Sequence, residues 1–227
     1  MKNIKYILLA VVAVLFGSSV SAQSIKILKT DGTSIVVPYS ELDCIIAVDE
    51  QQSNHEFVDL GLSVKWATCN VGAQSVEDYG DYFAWGETAV KDSYDSNNSI
   101  TNGVPMEDFA GNAEYDAAAA VWGGGARMPT KAELEELVSD CVWQISSENG
   151  ITGMLITGPN NNSIFMPLAG NYDGTTLSLD GIMAQYLSST PYESDDRAYV
   201  LQLYSFGDKS VYWGYRKNGY TVRAVCE

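Results

Sequence analysis

One capped helix signal stands in a chain that otherwise reads as short strands and turns, and this imbalance restricts the fold most. Thr130 and Glu133 have the T-x-x-E spacing of a capping box, in which side chain and main chain satisfy each other's orphan donors. Leu134, Leu137, Val138 and Cys141 follow at i, i+3, i+4 and i+7. That spacing makes a one-sided apolar stripe and turns Cys141 toward a core. A second, shorter helix is expected over Tyr115 to Val121.

The rest is strand-like. Ser63–Thr68 alternates Val64 and Trp66 with Lys65 and Ala67, and Asp81 to Trp85 reads as an aromatic strand. Lys91 to Gly111, rich in Asp, Asn, Ser and Gly, predicts a long loop. After Cys141, Asn149-Gly150 separates VWQISS from TGMLIT, and Asn160 to Asn162 separates TGMLIT from SIFMPL. The final third reads as a meander of Tyr199–Ser205, Ser210–Arg216 and Tyr220–Cys226, with Asn218-Gly219 turning into the last strand. Few helices and many turn-bounded strands predict an α+β domain with a twisted antiparallel sheet.

The first residues predict a secretory signal. Lys2 and Lys5 precede an uncharged apolar stretch from Ile7 to Phe16, too short to span a bilayer. Val20-Ser21-Ala22 offers small residues for cleavage before Gln23. Signal removal takes two lysines and moves the net charge from −16 to −18. Such an acidic chain repels nucleic acid and anionic lipid. No second apolar run suits a membrane helix, so the expected destination is the periplasm, the outer surface or the medium. Residues 23–49 read as a small unit in which SIKILK and SIVVPY flank Asp31-Gly32, a hairpin signal, with Asp43 to Val48 as a third strand. Residues 50–55 are polar and read as a linker into a main domain over 56–227.

Absent chemistry narrows the function. The single histidine, His55, lies in the linker, which excludes a histidine-rich metal site and leaves a Ser-His-Asp arrangement one remote candidate. No phosphate-binding glycine loop follows a strand. Gly123-Gly124-Gly125 before the capped helix reads as a close-packed turn. Carboxylates cluster at Glu77, Asp78, Asp81 and Glu87, and at Glu193, Asp195 and Asp196. Those loops suit Ca²⁺ in donor type, but no calcium motif supports it, so no cofactor is expected.

Val58–Ala73, Glu77–Thr88, Ala126–Leu137, Ser163–Gly174 with Tyr186–Thr190, and Gly219–Glu227 occur in a fixed order. Together they resemble the Fibrobacter succinogenes major paralogous domain family, which has a C-type-lectin-like fold. The resemblance runs from about Glu56 to Glu227. It implies a lectin-like domain with two helices, preceded by the small hairpin unit. It also implies a long-range bridge between Cys141 and Cys226, while the residues themselves leave all three pairings of Cys44, Cys69, Cys141 and Cys226 open, with four buried free thiols as an almost equal reading. The related formylglycine-generating oxidases share an RLPT-like helix start with Arg127-Met128-Pro129-Thr130, but need a close cysteine pair where this chain has Cys226 alone.

Lectin-like folds present ligands on their last strands. Here that implies Tyr192, Asp195, Arg197, Tyr212, Arg216 and Asn218. Alternation assigns Tyr212 and Arg216 to one face and Trp213 to the other, with Trp213 in the core and Tyr192, Tyr212 and Arg216 at the surface. The expected function is a non-catalytic binding module for a surface glycan or protein. Its rivals are a carboxylate-based hydrolase of extracellular polysaccharide and an envelope assembly component docking through the 23–49 hairpin.

Overall fold

The structure, a computed structural model, describes the backbone of Ser24–Leu28 and Ser34–Pro38 and all residues from 56 to 227. The expected signal, third strand, linker, Cys44 and His55 lie outside the described residues. The chain divides into two compact units, 1–51 and 52–227. In the first, β1 (Ser24–Leu28) and β2 (Ser34–Pro38) pair antiparallel from Ser24↔Pro38 to Leu28↔Ser34.

The second unit is α+β. Its strands are β3 (Phe57–Val58), β4 (Lys65–Ala67), β5 (Val142–Glu148), β6 (Ile151–Thr157), β7 (Ser163–Pro167), β8 (Asn171–Asp173), β9 (Thr176–Ser178), β10 (Met183–Pro191), β11 (Arg197–Tyr204), β12 (Lys209–Tyr215) and β13 (Val225–Cys226). Two helices, α1 (Ala117–Trp122) and α2 (Lys131–Asp140), lie between β4 and β5. The expected single twisted sheet is divided. Antiparallel sheets run β10-β11-β12, β13-β4-β3, β5-β6-β7 and β8-β9.

Both helices start as their sequences dictate. Thr130 Oγ1 accepts from Glu133 N at 3.3 Å and Glu133 Oε2 accepts from Thr130 N at 2.8 Å, closing the capping box. Arg127 grips both Glu133 carboxylate oxygens, at 2.9 and 2.7 Å. Burial works to raise the Glu133 pKa, but Arg127 and the Thr130 N–H together hold it below the usual range. Asp116 caps α1 and also accepts from Gly111 N and Met128 N, so one buried carboxylate ties the helix to the strand entry before α2.

The C-terminal segment corrects the expected last strand. Only Val225–Cys226 is a strand, and Tyr220 through Val225 is buried on both sides. Its main chain bonds the 67–83 region through Ala67, Val71 and Phe83, and β10 through Leu187. Tyr220, Val222 and Ala224 pack with Phe83, Trp85 and Val200, whereas Val225 packs with Trp66, Leu134 and Leu201. The segment is therefore a central spine, and both alternating faces are core. The expected strand at Asp81 to Trp85 shrinks to a bridge, Phe83↔Tyr220, because its main chain bonds three separate residues, Val71, Tyr220 and Arg216, instead of one continuous strand.

The implied Cys141–Cys226 bridge is also corrected. Cys69, Cys141 and Cys226 are free thiols. Strand alternation explains this. Val225, opposite Trp66, takes the inward position in the core that Cys141 borders. Cys226, opposite Lys65, points the other way. Burial raises the Cys141 thiol to about 11, and also raises Cys69 and Cys226.

Candidate functional site

Strands β11 and β12 pair with Arg197 opposite Tyr215, Tyr199 opposite Trp213, Leu201 opposite Val211 and Leu203 opposite Lys209. Directly opposite residues share a sheet face, so these eight side chains form one stripe. Helix α2 packs over one end of it, where Leu134 and Leu137 meet Leu201, Leu203 and Val211. The other end is left open. There Arg197, Tyr199 and Trp213 are half-buried and Tyr215 is exposed.

Cations sit on the rings of this stripe. The Arg197 guanidinium lies 3.9 Å from the Trp213 ring centre and 5.5 Å from that of Tyr215. Lys131 Nζ, at the start of α2, lies 4.6 Å from the Tyr199 ring centre. Lys209 faces Trp143 at 5.8 Å and Lys217 faces Tyr215 at 6.0 Å. Tyr192 meets Tyr199 edge to face at 5.0 Å. Arg197 Nε has no hydrogen-bond partner and stands 3.8 Å from Asp196 Oδ1, while Glu135 and Asp173 pair with Lys131 and Lys217. Nine of the thirteen Lys and Arg lie beyond residue 55, and four of them are on this stripe or at its border. Three of these four cations, Lys131, Arg197 and Lys217, stand within ion-pair distance of a carboxylate, so the stripe balances its own charge.

The structure sorts the residues expected from sequence. Arg197 and Tyr192 join the open stripe. Tyr212 is 52% exposed and alternates to the opposite face of β12, yet at this sheet edge its ring centre lies 5.6 Å from that of Trp213. Asp195 is exposed, and its carbonyl accepts from Gly103 N. Arg216, expected at the surface, is 1% exposed. It lies past the end of β12, where the chain turns and alternation no longer applies. Its guanidinium donates to the carbonyls of Arg197, Thr101 and Val104. Asn218 is buried too, with an unpartnered Oδ1. Trp213, expected in the core, is half-exposed because α2 ends short of it. Tyr199, Tyr215 and Lys131 were missed. The alternation at residues 211–215 placed Trp213 and Tyr215 together, but nothing local said which face a helix would leave open.

A second feature is the acidic segment from Glu77 to Glu87, whose carboxylates are of the donor type that suits Ca²⁺ and on which the hydrolase alternative rests. Gly72, Glu77, Asp78, Tyr79, Asp81, Tyr82 and neighbours line a hollow of about 460 Å³. A second hollow of about 430 Å³ shares Gly80, Asp81 and Tyr82 with it. Asn149 holds the Glu77 carboxyl below its usual range. A general acid requires the opposite shift. Among the described residues, no group of three His, Cys, Asp or Glu is placed to hold a metal ion, and no helix is long and apolar enough to cross a membrane.

No protein-family model matches the chain, and searches of curated proteins and of solved structures give no match either.

Proposed function

We propose that this chain is an exported, non-catalytic binding module of C-type-lectin-like fold in the Fibrobacter succinogenes major paralogous domain family, and that it grips its ligand with the open end of the β11–β12 stripe. The observation that carries the proposal is the stacking of Arg197 on Trp213 beside Tyr199 and Tyr215. Flat, half-exposed rings offer large contact area at little entropic cost, and they match the apolar faces of pyranose rings. The Arg197 guanidinium, on a side chain 31% exposed, is of the type that recognises carboxylate. This combination favours a surface glycan that carries uronic-acid groups.

Affinity electrophoresis through gels holding uronate-bearing or neutral polysaccharide tests the reading. The chain is expected to be retarded in the uronate gels, and Trp213→Ala and Arg197→Ala are expected to run freely. Equal mobility of all three proteins in every gel would overturn it. Release of reducing sugar from the same polysaccharides would revive the hydrolase alternative at the Glu77–Asp81 hollow.

A further inference from the structure

Sheet β5-β6-β7 has two edges, and they are managed differently. At β7, the carbonyl of Phe165 accepts from Arg223 Nη2. Strand β5 is seven residues long, has no proline and carries one charge, Glu148. Among the described residues, the main chain of Val142 to Glu148 makes no hydrogen bond outside its pairing with β6. Long unprotected edges of this kind recruit another strand.

The turn defines which groups are unpaired. Glu148 faces Ile151 across Asn149-Gly150, and both turn residues have positive φ, 47° and 87°. A two-residue primed turn closes on a hydrogen-bonded pair, so the even residues of β5 bond β6. Trp143, Ile145 and Ser147 therefore point their N–H and C=O groups away from the sheet.

Apolar surface continues beside this edge. Ile145 is 52% exposed and Phe206 is 68% exposed. The Phe206 ring stacks on Tyr204 at 5.2 Å, and a Cβ built on Gly207 would stand 3.9 Å from Ile145 Cδ1.

We propose that β5 is a homodimer interface, in which two copies pair antiparallel about a two-fold axis at Ile145. Only this register engages all three outward-facing residues of each strand: Ile145 meets its own copy, and Trp143 meets the partner's Ser147. It is also compatible in charge. Glu148 meets the partner's Val142 rather than a second glutamate, and Gln144 meets the partner's Ser146. Two apolar Ile145 side chains come together at the axis, with Phe206 beside them.

Sedimentation velocity on the chain from Gln23 onward, over a micromolar-to-millimolar series, tests this together with hydrogen exchange. A concentration-dependent dimer is expected. The amides of Trp143, Ile145 and Ser147 gain protection in it, while those of Gln144 and Ser146 are protected at every concentration. Ile145→Lys places like charges opposite each other and is expected to weaken association by about tenfold or more. Ile145→Pro removes one outward donor without touching the β5–β6 bonds, and is expected to do the same with the melting temperature little changed. Ile145→Val is expected to keep the dimer. A chain monomeric throughout the series, or a dimer that both disruptive variants leave intact, would overturn the proposal.

Discussion

The guanidinium of Arg216 lies 4.1 Å from the centre of the Trp85 ring, and its hydrogen bonds go to three main-chain carbonyls. One buried cation thus joins the 101–104 loop, the start of β11 and an indole of the core. Burial lowers its pKa from the ordinary arginine value. Arg216→Met keeps much of the volume but leaves those carbonyls without a donor. A loss of about 2–4 kcal/mol is expected in urea unfolding, since each buried unpaired polar group costs about 1–3 kcal/mol. A loss below about 0.5 kcal/mol, the range of an ordinary surface substitution, would show that the clamp contributes nothing.

Trp213 and Trp85 are expected to separate binding from folding. Trp85 is fully buried, and Trp85→Ala is expected to cost about 3–5 kcal/mol. Trp213 sits on an edge strand with one ring face shared with Arg197, so Trp213→Ala is expected to cost about 1 kcal/mol. Retardation by uronate polysaccharide is expected to vanish in the folded Trp213→Ala protein. Intact retardation in that variant would move the ligand elsewhere.

The α2 start supplies a pH-dependent contribution. Glu133 has a folded pKa below its unfolded value, near 4.5, so its stabilisation is present above that pH and lost as pH falls through the folded value. Glu133→Gln is expected to be less stable than wild type at neutral pH, with the difference narrowing in acid. A gap that stays constant across acidic titration would contradict the Arg127–Glu133 account. Thr130→Ala is expected to cost about 1 kcal/mol with little pH dependence, because a hydroxyl cap does not titrate.

The thiols give a chemical check. Non-reducing peptide mapping is expected to find Cys141 and Cys226 unlinked to each other. In the native chain at neutral pH, Cys141 is expected to alkylate slowly, because its thiol is pushed up to about 11. A recovered Cys141–Cys226 crosslink would contradict the inward placing of Val225.

Local signals read well where the interaction itself is local. The capping box at Thr130 needs only residues three apart, and the β5–β6 turn needs only Asn149-Gly150. The loop over 91–111 and the short helix after Tyr115 follow from composition and an Asp116 cap. Arg216 and Trp213 depart from expectation for two reasons. The strand ends at Tyr215, before Arg216, and for Trp213 period-two alternation separates two faces without saying what covers either.

By itself, the order of residues determined the α+β class, the helix starts and the Asn149-Gly150 turn, because those depend on neighbours within a few positions. Tertiary structure alone decided that Tyr220 to Val225 is buried on both sides, that Cys226 turns from Cys141, and that α2 leaves Trp213 and Arg197 in the open. Each of these outcomes depends on which distant segment arrives to cover a face, and a strand carries no record of that in its own alternation.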